Sequence, residues 1–163
     1  MEYELQADGE LAATLRFRSA WNSLATAESA EGKWIFNRVG FWRPKIIIQA
    51  QENEVNLAVL QNNSWSNGGT LELSDGRRYL TRMNSWNTQY EIRTEGGESL
   101  LKFKIKGSFR KSADVEVFPA MTQVSEIPWL VLFGWYQTVM INMDAAAIAA
   151  AMVPIIVAIT STR

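Results

Sequence analysis

Residues 127–159 read IPWLVLFGWYQTVMINMDAAAIAAAMVPIIVAI, a run whose only charge is Asp144. Ala145-Ala146-Ala147 and Ala149-Ala150-Ala151 supply the best helix formers available, so this tail reads as helical. Asp144 stands where an N-cap would, its carboxylate placed to accept from unpaired N–H groups at the favourable end of the helix dipole. The tail then divides into an aromatic half, Trp129 to Asn142, and a central helix covering about 145–159. A helix that is apolar on every side must be buried, either in a protein core or in a bilayer. A span needs about 20 apolar residues. The stretches on either side of Asp144 are shorter, and Pro154 should kink or end the second. A carboxylate at mid-membrane would cost about 2.5 to 3.5 kcal/mol on insertion scales. Burial by the rest of the chain is the better reading.

That rest, residues 1–126, has hydrophobic period two in short runs closed by Gly, Asn, Asp or Pro, the pattern of successive strands. Candidate strands are Tyr3 to Ala7, Thr14 to Trp21, Lys33 to Val39, Lys45 to Gln51, Leu57 to Gln61, Thr70 to Ser74, Arg77 to Arg82, Gln89 to Thr94, Ser99 to Ile105 and Ala113 to Phe118. Asp75-Gly76 is the strongest hairpin signal and predicts a two-residue type I′ turn with φ > 0 at both positions. Gly68-Gly69 and Gly96-Gly97 mark further turns, and Asn63-Ser64-Trp65 recurs as Asn84-Ser85-Trp86 in a weak hairpin repeat. The chain is expected to be one domain, a β body over 1–126 with the apolar tail 127–163 as its filling. A helix with its side chains is about 10 to 12 Å wide, and the known barrel that encloses one has about eleven strands.

Strands of this number and length, closed by Met143-Asp144-Ala145-Ala146-Ala147-Ile148-Ala149-Ala150-Ala151-Met152-Val153-Pro154-Ile155-Ile156-Val157, resemble the tubby-like superfamily, which includes the LURP-one-related proteins and the phospholipid scramblases. The aromatic segment Pro128 to Tyr136 exceeds the family's pattern. The resemblance implies a closed antiparallel β-barrel of about twelve strands around a C-terminal hydrophobic helix. It also implies a non-enzymatic binding or scaffold domain whose expected partner is anionic phospholipid or a membrane surface. No ligand-binding residue of the family has a matching motif here.

Composition narrows the chemistry. The 163 residues contain no cysteine and no histidine, so there is no thiolate nucleophile, Cys-based zinc site or Ser-His-Asp arrangement. Sixteen basic residues nearly balance seventeen acidic ones, so no net field draws the chain to nucleic acid. No phosphate-binding, dinucleotide or metal-spaced motif is present, and no cofactor is expected. The start, Met1-Glu2-Tyr3-Glu4-Leu5, lacks the basic and apolar regions of a secretory signal, which leads to the expectation of a cytoplasmic body, peripheral at the inner membrane face.

Lys102, Lys104 and Lys106 share one strand face opposite Leu101, Phe103 and Ile105, with Arg110 and Lys111 close behind. This stripe is the candidate anionic-lipid contact, at about 1 kcal/mol per cation near a charged surface. Its plainer reading is a solvated face that discourages edge pairing. Trp65 and Trp86 could form a stacking platform, although filling the interior is the commoner use of so large a side chain. Glu52 with Glu54 and Glu91 with Glu95 are nominal acid/base pairs of the kind that alternation in exposed strands produces. Two other functions stay open: a tail-anchored membrane protein with a cytoplasmic β-domain, which Lys102 to Lys111 would retain there, and a carboxylate-dependent hydrolase.

Overall fold

A computed structural model describes residues 2–19, 23–62, 68–106 and 112–160, with side chains of the final helix up to Asp144. Eleven strands follow one another: β1 (Glu2–Ala7), β2 (Glu10–Phe17), β3 (Ala25–Ser29), β4 (Gly32–Val39), β5 (Lys45–Ala50), β6 (Asn56–Asn62), β7 (Gly68–Leu73), β8 (Arg78–Met83), β9 (Gln89–Thr94), β10 (Ser99–Lys106) and β11 (Ser112–Val117). A short 3-10 turn, Pro119–Gln123, leads into one helix, α1 (Ile127–Thr160). The strands form a single sheet in sequence order, each antiparallel to the next. Along each strand alternate residues turn inward, as with Leu15 and Phe17, Trp34 and Phe36, Ile46 and Ile48, or Leu101 and Phe103, all buried.

The inner face curls round α1. From Leu132 to Met140 every helix residue is buried, a run of more than two turns at 3.6 residues each, so no side of the helix faces water there. Tyr136 stacks on Phe17 of β2 at 5.5 Å and tilts against Phe36 of β4 at 5.3 Å, while Trp135 meets Tyr3 of β1 edge-on at 6.1 Å. On the other side, β10 brings the Phe103 ring against the backbone of Gly134. Burial falls off over Ile141 to Met143, and Asp144 is exposed.

Three expectations are corrected. The sheet is mainly β and encloses a helix, but it is not a closed barrel of twelve strands: among the described residues no ladder joins β1 to β11. In a strict up-and-down order an odd number of strands leaves the first and last running the same way, so eleven cannot close with every pair antiparallel.

The tail is not two segments. One helix runs from Ile127 through Asp144 and Pro154 to Thr160, and its aromatic half is enclosed by the sheet; the surroundings of 145–159, the expected central helix, lie outside the described side chains. The start is set by Glu126, whose carbonyl accepts the Leu130 N–H at 2.9 Å, and by Pro128 in the first turn, where a missing N–H costs nothing. Among the described residues no helical stretch is long and apolar enough to cross a membrane.

The third correction concerns turn type. At Asp75-Gly76 only Gly76 takes positive φ, at 87°, and Leu73 N–H donates to the Arg77 carbonyl at 2.8 Å, giving a longer turn than the predicted one. The two-residue turn with both φ positive occurs instead at Asp8-Gly9, between paired Ala7 and Glu10.

Candidate functional site

Antiparallel order sorts the connections into two ends. α1 enters beside the β7–β8 turn, where the Glu126 carboxylate accepts from Arg77 and, at 3.1 Å, from the Tyr79 hydroxyl. Burial alone would raise the Glu126 carboxyl, but the bonds from Arg77 and Ser125 outweigh it and hold the group below its ordinary range. Burial, with Glu126 beside it, pushes the Tyr79 phenol up to about 12. α1 leaves the sheet at the opposite end, where Arg38 near the end of β4 donates to Asp144 at 2.7 and 3.4 Å.

At that exit end the β4–β5 connection presents Phe41 and Trp42, 88% and 90% exposed and packed edge-to-face at 5.4 Å. The β8–β9 connection at the same end presents Trp86, 84% exposed. Arg43 and Lys45 are exposed beside the first pair. The sequence reading placed large aromatics inside, and Trp34, Trp129 and Trp135 are buried. Trp86 corrects that expectation, and Trp65, its partner in the proposed stacking platform, lies outside the described residues. The signal for the Phe41-Trp42 tip was available: Gly40, with φ of 90°, and Pro44 bracket the pair as a turn.

The lysine stripe is largely engaged by its own sheet. Lys104 pairs with Glu116 at 3.0 Å, Lys106 pairs with Asp114, and Lys102 sits over the Phe118 ring at 5.1 Å. The register sets Lys102 opposite Glu116 and Lys104 opposite Asp114, so acids on β11 line up against the cations of β10. Exposed pairs of this kind contribute about 0 to 1 kcal/mol each, but they leave little uncompensated charge for a headgroup. Arg110 and Lys111 lie outside the described residues.

Asp144 is not an N-cap, because helix continues on both sides of it and its carboxylate is bound to Arg38. The order of substitutions should follow. Capping would make Asp144→Asn and Asp144→Ser harmless and Asp144→Ala damaging. Inside a helix, Ala is the better former by up to about 0.7 kcal/mol, and loss of a half-exposed pair costs about 0 to 1 kcal/mol. Asp144→Ala is therefore expected to match or exceed Asp144→Asn and Asp144→Ser in urea midpoint, and the reverse order would restore the cap.

Glu91 is not a raised acid. Burial alone would raise Glu91, but Arg93 at 2.6 Å and Ser99 at 2.5 Å hold it below the usual range, whereas a general acid near neutral pH needs the opposite shift. Glu52, Glu54 and Glu95 are exposed. Among the described residues no three carboxylates stand close enough together to hold a metal ion. Compared with known proteins, the chain matches no family model, no curated protein and no solved structure.

Proposed function

We propose that this chain is a non-enzymatic binding domain of the tubby-like type, working at the cytoplasmic membrane face and docked there by the end at which α1 leaves the sheet. The up-and-down sheet curled round a C-terminal helix supports the family reading. The observation that carries the docking is the exposed pair Phe41 and Trp42 beside Arg43 and Lys45. Aromatic rings with adjacent cations suit the headgroup boundary of a bilayer. The helix continues from the same end into residues 145–160, a stretch without Asp, Glu, Lys or Arg.

The test is co-sedimentation of the full chain with phosphatidylcholine vesicles, with and without phosphatidylserine, at low and high salt. Burying a large apolar side chain gains about 1.5 to 3 kcal/mol, so even partial immersion of two rings is worth a tenfold change at about 1.4 kcal/mol. Binding is expected on both vesicle types, with little salt dependence, and a loss of at least tenfold in Phe41→Ser/Trp42→Ser. Binding confined to anionic vesicles, screened by salt and removed by Lys102→Gln/Lys104→Gln/Lys106→Gln, would transfer the contact to the lysine stripe. No binding at all would overturn the membrane reading.

A further inference from the structure

The antiparallel order puts five connections at the end where α1 leaves the sheet, residues 18–24, 40–44, 63–67, 84–88 and 107–111, and five strand-to-strand turns at the other, 8–9, 30–31, 51–55, 74–77 and 95–98. The two sets differ in kind. Every connection of the exit set contains Trp or Phe, and none contains Asp or Glu. In the opposite set every turn contains Asp or Glu, and none contains an aromatic residue. The net charge of -1 conceals this division. Strands of 5 to 8 residues separate the ends, about 17 to 26 Å at about 3.3 Å per residue. That exceeds the Debye length of about 8 Å at physiological salt, so each end presents its own character to whatever it meets.

Topology does not ask for these aromatics. Two residues suffice to join antiparallel strands, as at 8–9 and 30–31, whereas every exit connection has at least five. Nor do the described rings fold back over the mouth of the sheet, since Phe41, Trp42 and Trp86 are almost wholly exposed. Trp21, Trp65 and Phe109 lie outside the described residues. The acids that strands and helix bring to this end are bound within the protein: Glu2 to Arg16, Asp114 to Lys106 and Asp144 to Arg38. Arg18, Arg43 and Lys45 are exposed there. Amphipathic rings sit at the headgroup level of a bilayer, and aromatic residues flanked by Lys and Arg make up surfaces that lie in that layer.

We propose that the whole exit rim, not the Phe41-Trp42 tip alone, is the surface that meets a lipid bilayer, with Trp86 as a second anchor and the sheet standing end-on to the membrane. This rests on the membrane reading above and adds its geometry. Strands β5 to β8 separate the two aromatic connections, about 19 Å round the rim at about 4.8 Å per strand. A single contact would let the body tip about it until the acidic turns approached the headgroups. Contacts at both connections hold the end face-on and keep those turns in water.

Because the chain has no cysteine, one introduced thiol carries a fluorophore to one place. Ser85→Cys labels the β8–β9 connection beside Trp86, and Gly96→Cys, where a side chain has room, labels the opposite end. With phosphatidylcholine vesicles containing spin-labelled lipid, the fluorophore at 85 should be quenched and the one at 96 should not. Trp86→Ser should weaken co-sedimentation with phosphatidylcholine vesicles at least fivefold, about 1 kcal/mol at about 1.4 kcal/mol per tenfold. Its urea midpoint should not move, since the ring is exposed, which separates lost binding from lost fold. Should that variant not fold, the label at 85 carries the test. If the chain binds through Phe41 and Trp42 while the label at 85 stays bright and Trp86→Ser binds as before, the contact is a single tip: the proposal falls and the membrane reading stands. Equal quenching at 85 and 96 would overturn the end-on arrangement, and no binding to vesicles would overturn both.

Discussion

A chain ending at residue 126 is expected to lose its fold outright, whereas one ending at residue 143 is expected to keep it. The first loses Leu130, Leu132, Phe133 and Tyr136, all essentially without exposure, together with Trp129, Trp135, Val139 and Met140. Emptying a buried Leu or Phe position to Ala costs about 2 to 5 kcal/mol, and a domain of this kind has about 5 to 15 kcal/mol in all. The inward faces of β2, β3, β4, β9 and β10 would be left without the helix they pack on. The second truncation removes none of the buried side chains described, and among the described contacts it breaks only the half-exposed Arg38–Asp144 pair. Near-UV circular dichroism and a urea unfolding curve separate the outcomes: a molten or aggregated 1–126, and a cooperative 1–143 within about 1 kcal/mol of the full chain. A cooperative 1–126, or a molten 1–143, would show that the filling had been assigned to the wrong stretch of helix.

Most strands were legible because their inward residues are large. Tyr90 and Ile92, or Leu71 and Leu73, alternate with polar neighbours and announce period two by themselves. β3 was missed because its inward residues are Ala25 and Ala27, which carry almost no hydrophobic signal although both are buried. Their smallness has a structural cause. The adjoining core holds Tyr136, whose hydroxyl donates to the Ser23 carbonyl at 2.7 Å just ahead of β3, and larger side chains there would compete with that ring. The closed barrel of about twelve strands was implied by the family resemblance rather than by the strands counted, and eleven strands in this order do not close with every pair antiparallel.

Local pattern misplaced the helix start because an acidic residue before six alanines in seven positions looks like a cap. Cap preferences describe helix ends, and here the aromatic segment ahead of Asp144 is itself helical, held so by packing against Phe17, Phe36 and Phe103 rather than by propensity. The lysine stripe was legible as a strand face. Its neutralisation was not, because the pairing of Lys104 with Glu116 depends on the β10–β11 register, a relation between two strands.

Gly134→Ala is expected to destabilise the protein by about 1 to 3 kcal/mol, against the trend for a helix interior. Intrinsic propensity favours Ala there by about 1 kcal/mol. A Cβ at this position would, however, overlap the outer edge of the Phe103 ring. That ring has no exposure and is flanked by Tyr90 at 6.3 Å. It cannot swing into solvent, so the strain falls on the helix–sheet spacing, and overpacking of this kind costs about 1 to 3 kcal/mol beyond what propensity returns. Phe103→Leu supplies the counter-test. Alone it should destabilise by leaving space beside the glycine. Combined with Gly134→Ala, the added methyl enters that space and the helix gains its propensity, so the double variant should be more stable than the sum of the singles by at least about 1 kcal/mol. Urea midpoints for the four proteins measure this coupling directly. Additive changes, or a Gly134→Ala that stabilises on its own, would mean that the ring does not rest on the helix backbone and that α1 is held chiefly by its other contacts, to Phe17, Phe36 and Tyr3.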